Sequence, residues 1–235
     1  MGKEKEKEKL ARKIYLYLAG LFITALVVSN LIFQKFFYWY PIDIEIFDNK
    51  LFELSVGILP YPITFLITDL ISEIYGKKKA KDVVITGIFA SFFSIILLLI
   101  SEAVPAVENS PISDEEFKKV FSVSSIAVFA SMLAYLIAQL VDIRIYHFWK
   151  KLTKGKLLWL RNNFSTFSSQ FIDSCLVIGL LCFFDILSWD LFWGLVLSAI
   201  IFKVFIALID TPFLYFFVWL LRKKFNLKIN EEIKY

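Results

Sequence analysis

The chain has 235 residues, 58% hydrophobic, 18% aromatic and 20% charged, with a formal net charge of +4 and a mean hydropathy of +0.68. Soluble domains average about half apolar and a quarter charged, so a large water-soluble catalytic domain is excluded. The apolar residues instead arrive in blocks of the length, about 20 residues, that crosses a hydrocarbon core of ~30 Å.

Six such blocks follow one another, at about 14–33, 54–75, 83–100, 120–146, 164–187 and 191–221. The first is too long for a signal-peptide core and no small-residue cleavage site follows it, so it is expected to persist as a membrane helix. The second contains Pro60 and Pro62, which remove backbone donors and disfavour helix in the residue before each. The sixth is long for one crossing and is expected to tilt, or to break near Pro212. Cys175 and Cys182 both fall within the fifth block and read as packing residues, not as a disulfide or zinc site.

Charge alternates from link to link. The basic segments are the N-terminal tail, the link with Lys77, Lys78, Lys79 and Lys81, the link with Lys150, Lys151, Lys154, Lys156 and Arg161, and the tail from Arg222. The acidic ones hold Asp43, Glu45, Asp48 and Glu53, then Glu102, Glu108, Asp114, Glu115 and Glu116, then Asp185 and Asp190. By the positive-inside rule this predicts six spans with both termini cytoplasmic. The fold class expected is an all-α integral membrane bundle in the cell's inner membrane. Its parts are a charged tail over 1–13, a transmembrane domain over 14–221 and a tail over 222–235. Trp39 and Tyr40, among other aromatics near span ends, read as interfacial anchors. The bilayer is the expected partner of the lysines, not a nucleic acid, and a homo-oligomer is left open.

Function is sought where polarity is costly, because a charge at mid-bilayer costs ~3 kcal/mol or more unless a cavity or partner receives it. Thr64, Thr68, Asp69 and Glu73 follow the proline pair in the second block; Glu73 has Lys77 as its nearest candidate partner in sequence. Gln139 and Asp142 in the fourth block and Gln170 and Asp173 in the fifth repeat a Gln-x-x-Asp spacing, which places each pair on one helix face. Asp142 has Arg144 or Arg161 as candidate partners. Lys203 and Asp210 lie two turns apart in the sixth block, where Lys203 could pair with Asp210 or Asp173. Asn30 in the first block stands level with the proline break. Each of these polar groups could instead be helix-to-helix glue.

No Gly-x-Ser-x-Gly, His-Glu-x-x-His or Walker loop occurs, and the single histidine is His147. An aspartyl pair of Asp142 and Asp173 is the weaker reading. The expectation is a non-enzyme without cofactor or metal: a carrier, or the substrate-binding subunit of one that needs a separate energising module.

The stretch Pro62-Ile-Thr-Phe-Leu-Ile-Thr-Asp-Leu-Ile-Ser-Glu-Ile-Tyr-Gly76-Lys-Lys-Lys-Ala80 resembles the signature of the vitamin uptake transporter family, which includes the queuosine precursor transporters. Two further segments agree: Trp159 to Thr166 continuing through Asp173, and Lys203 through Asp210-Thr-Pro212. The resemblance implies import of 7-cyano- or 7-aminomethyl-7-deazaguanine for tRNA modification. For such a deazapurine, one carboxylate suits N1–H and the 2-amino group, and a donor suits the 6-oxo group. Asp69, Asp142 and Asp173 are the candidate carboxylates. Gln139, Gln170, Asn30 and Lys203 are the candidate donors, with Thr64, Thr68 and Asp210 beside them and Phe65 or Phe171 stacking on the ring.

Overall fold

The computed structural model describes residues 2–33, 35–38, 45–46, 49–50, 53–121, 125–185 and 187–233. Trp39, Tyr40, Asp43 and Asp48 lie outside them. The described residues are mostly helical, with two small antiparallel strand pairs. Helix α1 runs Gly2–Ile32, α2 Tyr61–Ile74, α3 Gly76–Ala103, α4 Asp114–Phe121, α5 Ser125–Leu152, α6 Leu158–Phe183 and α7 Phe192–Phe225. Between α1 and α2, strand β1 (Phe36–Tyr38) pairs antiparallel with β4 (Glu53–Ser55), and β2 (Glu45–Ile46) with β3 (Asn49–Lys50).

Among the described residues, five segments are long and apolar enough to cross a membrane: Glu4–Ile32, Val56–Ile74, Gly76–Ala103, Leu158–Phe183 and Trp189–Phe225. These match five of the six blocks of the sequence. The other block contains α5, which has 28 residues and whose first side chains lie outside the described residues. α1 extends through the Lys/Glu stretch, so that stretch is helical. α4 was not foreseen. It starts at a capping box in which the Ser113 amide and hydroxyl each donate to Glu116 at 2.9 Å, holding that carboxyl below its usual range.

The second crossing is broken as the proline pair predicts. At 14 residues, α2 rises only ~21 Å, and the crossing is completed by a 3-10 turn at Val56–Ile58 and a bend at Leu59-Pro60. The turn leans on the end of α1: the Ser29 hydroxyl donates to the Gly57 carbonyl, and the Ser55 hydroxyl to that of Phe33. Contact is so close that a Cβ on Gly57 would fall 2.7 Å from the Ser29 carbonyl oxygen.

Of the two alternatives for the long sixth block, tilt or a break near Pro212, the break is not found, since α7 is continuous through Pro212. Proline removes one backbone bond, but the chain around it is well held. The Thr211 hydroxyl donates to the Ala207 carbonyl at 3.0 Å, and Asn162 and Asn163 of α6 both donate to that hydroxyl oxygen.

Both termini meet at one end of the bundle. There Tyr75 donates to the Ala11 carbonyl, Tyr15 to the Lys79 carbonyl, and the Ile233 amide to the Ile74 carbonyl. The basic α2–α3 corner and the α5–α6 link close the same end, where Arg161 donates to the carbonyls of Gly155 and Lys156. α2 runs through the middle, against α1, α3, α5 and α7, while α5, α6 and α7 pack side by side.

Gly57→Ala is expected to destabilise the protein by about 1–3 kcal/mol, the usual cost of overpacking, because backbone rather than a flexible side chain meets the new methyl. Thermal unfolding in detergent measures it; an unchanged melting temperature would show that the turn can move off α1.

Candidate functional site

A cavity of about 270 Å³ lies beside the broken second crossing, at the lower edge of the ~300–1,000 Å³ usual for small-molecule sites. The end of α1, the turn before α2, α3, α5, α6 and α7 all contribute to it. Its polar wall holds Asn30, Ser131, Tyr61, Tyr135, Asp173, Ser174 and Lys203, and its apolar wall includes Leu26, Ile88, Met132 and Val177. The break in α2 places Tyr61 at the first helical position, so the positive end of the α2 dipole also faces this region.

The centre of the wall is an ion pair. Lys203 Nζ lies 2.5 Å from Asp173 Oδ2 and 3.1 Å from Ser174 Oγ, and 5.2 Å from the centroid of the Tyr61 ring. Of the two partners open to Lys203 in the sequence, Asp173 is the one it takes. Asp210, half-buried, borders a second, water-sized void of about 30 Å³ together with Gln170, Thr166, Phe65 and the other side of Tyr61 and Lys203. Tyr61, Phe65 and Tyr135 form an edge-to-face cluster, with Tyr135 centred 5.3 Å from Tyr61 and 6.3 Å from Phe65. Phe65 thus belongs to this aromatic cluster and borders the smaller void, while Phe171 is 49% exposed on the outside of the bundle. Tyr61, Ser131 and Ser174 are among the cavity residues that sequence reading passed over. The Pro-Tyr-Pro spacing was a usable signal for the first.

From this pair a buried polar column runs toward the termini. Gln139 Nε2 donates to Tyr135 at 2.8 Å, and Ser169 Oγ to Asp142 Oδ1 at 3.0 Å. Asp69 of α2 and Asp142 of α5 are electrostatic neighbours in this column. Asp142 is thus answered by serine rather than by Arg144 or Arg161. Thr64 and Thr68 are fully buried and return their hydroxyls to their own helix, at Tyr61 and at Thr64 and Phe65. Asn30 reaches Ser91 of α3 at 3.5 Å. Asp69 Oδ1, Gln139 Oε1, Asp142 Oδ2, Gln170 Oε1 and Asp173 Oδ1 are buried acceptors without a hydrogen-bond partner. Buried polar atoms are normally satisfied. A row of unmet oxygens suits a guest rich in N–H donors.

The column ends on Glu73, which has no exposed surface. Its carboxylate pairs with Arg161 at 2.7 Å and with Arg222, accepts from Tyr146 at 2.9 Å, and has Lys150 at 3.8 Å. Lys150 also donates to the carbonyls of Ser72 and Glu73 and pairs with Glu232 at 2.8 Å. The expected Lys77 partner is replaced by cations from α5, α6 and α7. This network closes the termini end of the column.

Residues 55–217 match the family described as "Putative vitamin uptake transporter". The chain belongs to that family. The match begins at the turn before α2 and includes every expected site residue except Asn30. A relative from Bacillus subtilis (strain 168), described as "Probable queuosine precursor transporter", is 27% identical over 162 residues, covering 68% of this chain and 70% of that protein. No solved structure matches. As a transporter-family member with several apolar helices, the chain is a multi-pass membrane protein.

Glu73→Gln leaves three cations around a neutral amide, and breaking such a buried network is expected to cost ~3–5 kcal/mol. A fall in the melting temperature of the detergent-purified variant is the readout. No fall would mean that Arg161, Arg222 and Lys150 are held without it.

Proposed function

We propose that the chain imports 7-cyano- or 7-aminomethyl-7-deazaguanine for salvage into modified tRNA, as a secondary carrier working by alternating access. In this reading it crosses the cell's inner membrane six times, with α5 as the remaining crossing and both termini in the cytoplasm. The alternating charges and the meeting of both termini at the basic end of the bundle support that orientation.

One observation carries the substrate reading: the cavity joins an aromatic wall to an ion pair with acceptor capacity left over. A deazaguanine presents N1–H and its 2-amino group side by side, and Asp173 has one oxygen on Lys203 and another unmet. Lys203 or Asn30 meets the 6-oxo group, and the ring lies against Tyr61 and Tyr135. Asp69, Asp142, Gln139 and Gln170, with Thr64, Thr68 and Asp210 beside them, line the route onward. The Glu73 network then acts as the inner gate, closed while the cavity beside the hairpin end receives the base. The description of the Bacillus subtilis relative, "Probable queuosine precursor transporter", supports the same cargo.

The test is deazaguanine-dependent tRNA modification in a host that cannot make the base. Asp173→Asn and Lys203→Met are each expected to cut salvage about tenfold or more, since a hydrogen bond to a charged group is worth ~1.5–3 kcal/mol. Phe171→Ala, on the outer face, is expected to leave it intact. Undiminished salvage in both site variants, at normal expression, overturns the assignment.

A further inference from the structure

A second basic feature lies outside the column. Between the start of α6 and the end of α7 is a groove of about 670 Å³, bordered by Lys156, Arg161, Arg222 and Lys223 with Tyr215 and Trp219, and by no carboxylate. Arg161 and Arg222 already serve Glu73, although Arg222 Nε remains buried without a partner. Lys156 and Lys223 are exposed and in no ion pair among the described residues. Lys223 Nζ stands 5.1 Å from the centre of the Trp219 ring.

The flank is as informative as the groove. Phe216, Trp219 and Leu220 of α7 and Leu157 before α6 are 54%, 55%, 43% and 53% exposed. Phe216, Leu220 and Lys223 follow at helical spacing, so one stripe of α7 passes from bare hydrocarbon through an aromatic level to a free ammonium. α6 also begins without a side-chain cap, and the positive end of its dipole adds to the field in the groove.

We propose that this groove binds one anionic glycerophospholipid. Its phosphodiester sits at Lys156 and Lys223, its glycerol at the level of Tyr215 and Trp219, and its acyl chains along Phe216 and Leu220. Charge complementarity favours an acidic over a zwitterionic headgroup, and the apolar stripe favours a lipid over a free phosphate. Basic pockets between membrane helices commonly take acidic headgroups. The two lysines assigned to the headgroup lie outside the deazapurine cavity and outside the Glu73 network, although Arg161 and Arg222 on the groove's border belong to that network.

The experiment uses the full chain in detergent and reads both melting temperature and lipids retained by native mass spectrometry. The probes are dioleoyl phosphatidylglycerol, dioleoyl phosphatidylcholine and inorganic phosphate. Phosphatidylglycerol alone is expected to raise the melting temperature and to remain bound at one per chain. The double variant K156Q/K223Q is expected to bind it roughly 30-fold more weakly, each juxtamembrane lysine contributing ~1 kcal/mol. K77Q/K78Q, exposed lysines at the same end but outside the groove, should bind as the parent does. Equal weakening in the two variants, equal stabilisation by phosphatidylcholine, or an equal shift with inorganic phosphate would each overturn the proposal.

Discussion

A buried carboxylate organises the bundle. Glu73 sits at the end of α2 with no contact to solvent, and cations from α5, α6 and α7 converge on it. In a low-dielectric setting an unpaired charge there would be intolerable, so the three helices are obliged to bring their cationic ends to the same place. The C-terminal segment joins them through Glu232 on Lys150 and Ile233 on Ile74. Gly76, at φ +86°, leaves room for Glu232; a Cβ there would meet its carboxylate at 2.2 Å. The corner between α2 and α3, the α5–α6 link and both chain ends are thereby fixed to one another.

The opposite half of α2 is governed by an omission. Prolines at 60 and 62 disfavour helix before them and accompany the break at the start of α2, and the freed backbone is tolerated at membrane depth only where protein or a cavity receives it. The cavity is found beside that break. The same interruption brings Tyr61 against Lys203 and Tyr135, which a straight helix would have left with ordinary side-by-side packing. Between break and carboxylate, the column of Thr64, Thr68 and Asp69 faces Gln139, Asp142 and Ser169, and among the described residues no salt bridge reaches Asp69 or Asp142. One end of the crossing is thus locked and the other is hollow.

Much of this was legible in the sequence for a simple reason: hydropathy, charge alternation and proline act locally. The blocks, the broken second crossing and the polar positions could be read by counting along the chain. Partners could not. Glu73 is answered by groups 73, 77, 88 and 149 residues away, and the nearby Lys77 is not among them. Lys203 offered two carboxylates, and only packing of α6 on α7 chose Asp173. Phe171 and Phe65 looked alike as stacking candidates, because facing inward or outward depends on which neighbours a helix acquires. Pro212 misled in the opposite sense, since the polar support from Asn162 and Asn163 comes from another helix.

The pairing of Lys203 with Asp173 has an electrical consequence. The pair is formally neutral, so in the proposed carrier reading it adds no net charge of its own when the site changes the side it faces. In that reading a neutral base would add no charge to the crossing, whereas one with a protonated aminomethyl arm would carry a unit charge through it. That charge is worth ~2.3 kcal/mol per 100 mV, directed inward in a cell that is negative inside. The resting voltage would thus distinguish two cargoes that differ by a single protonated amine, with no change in the residues that hold them.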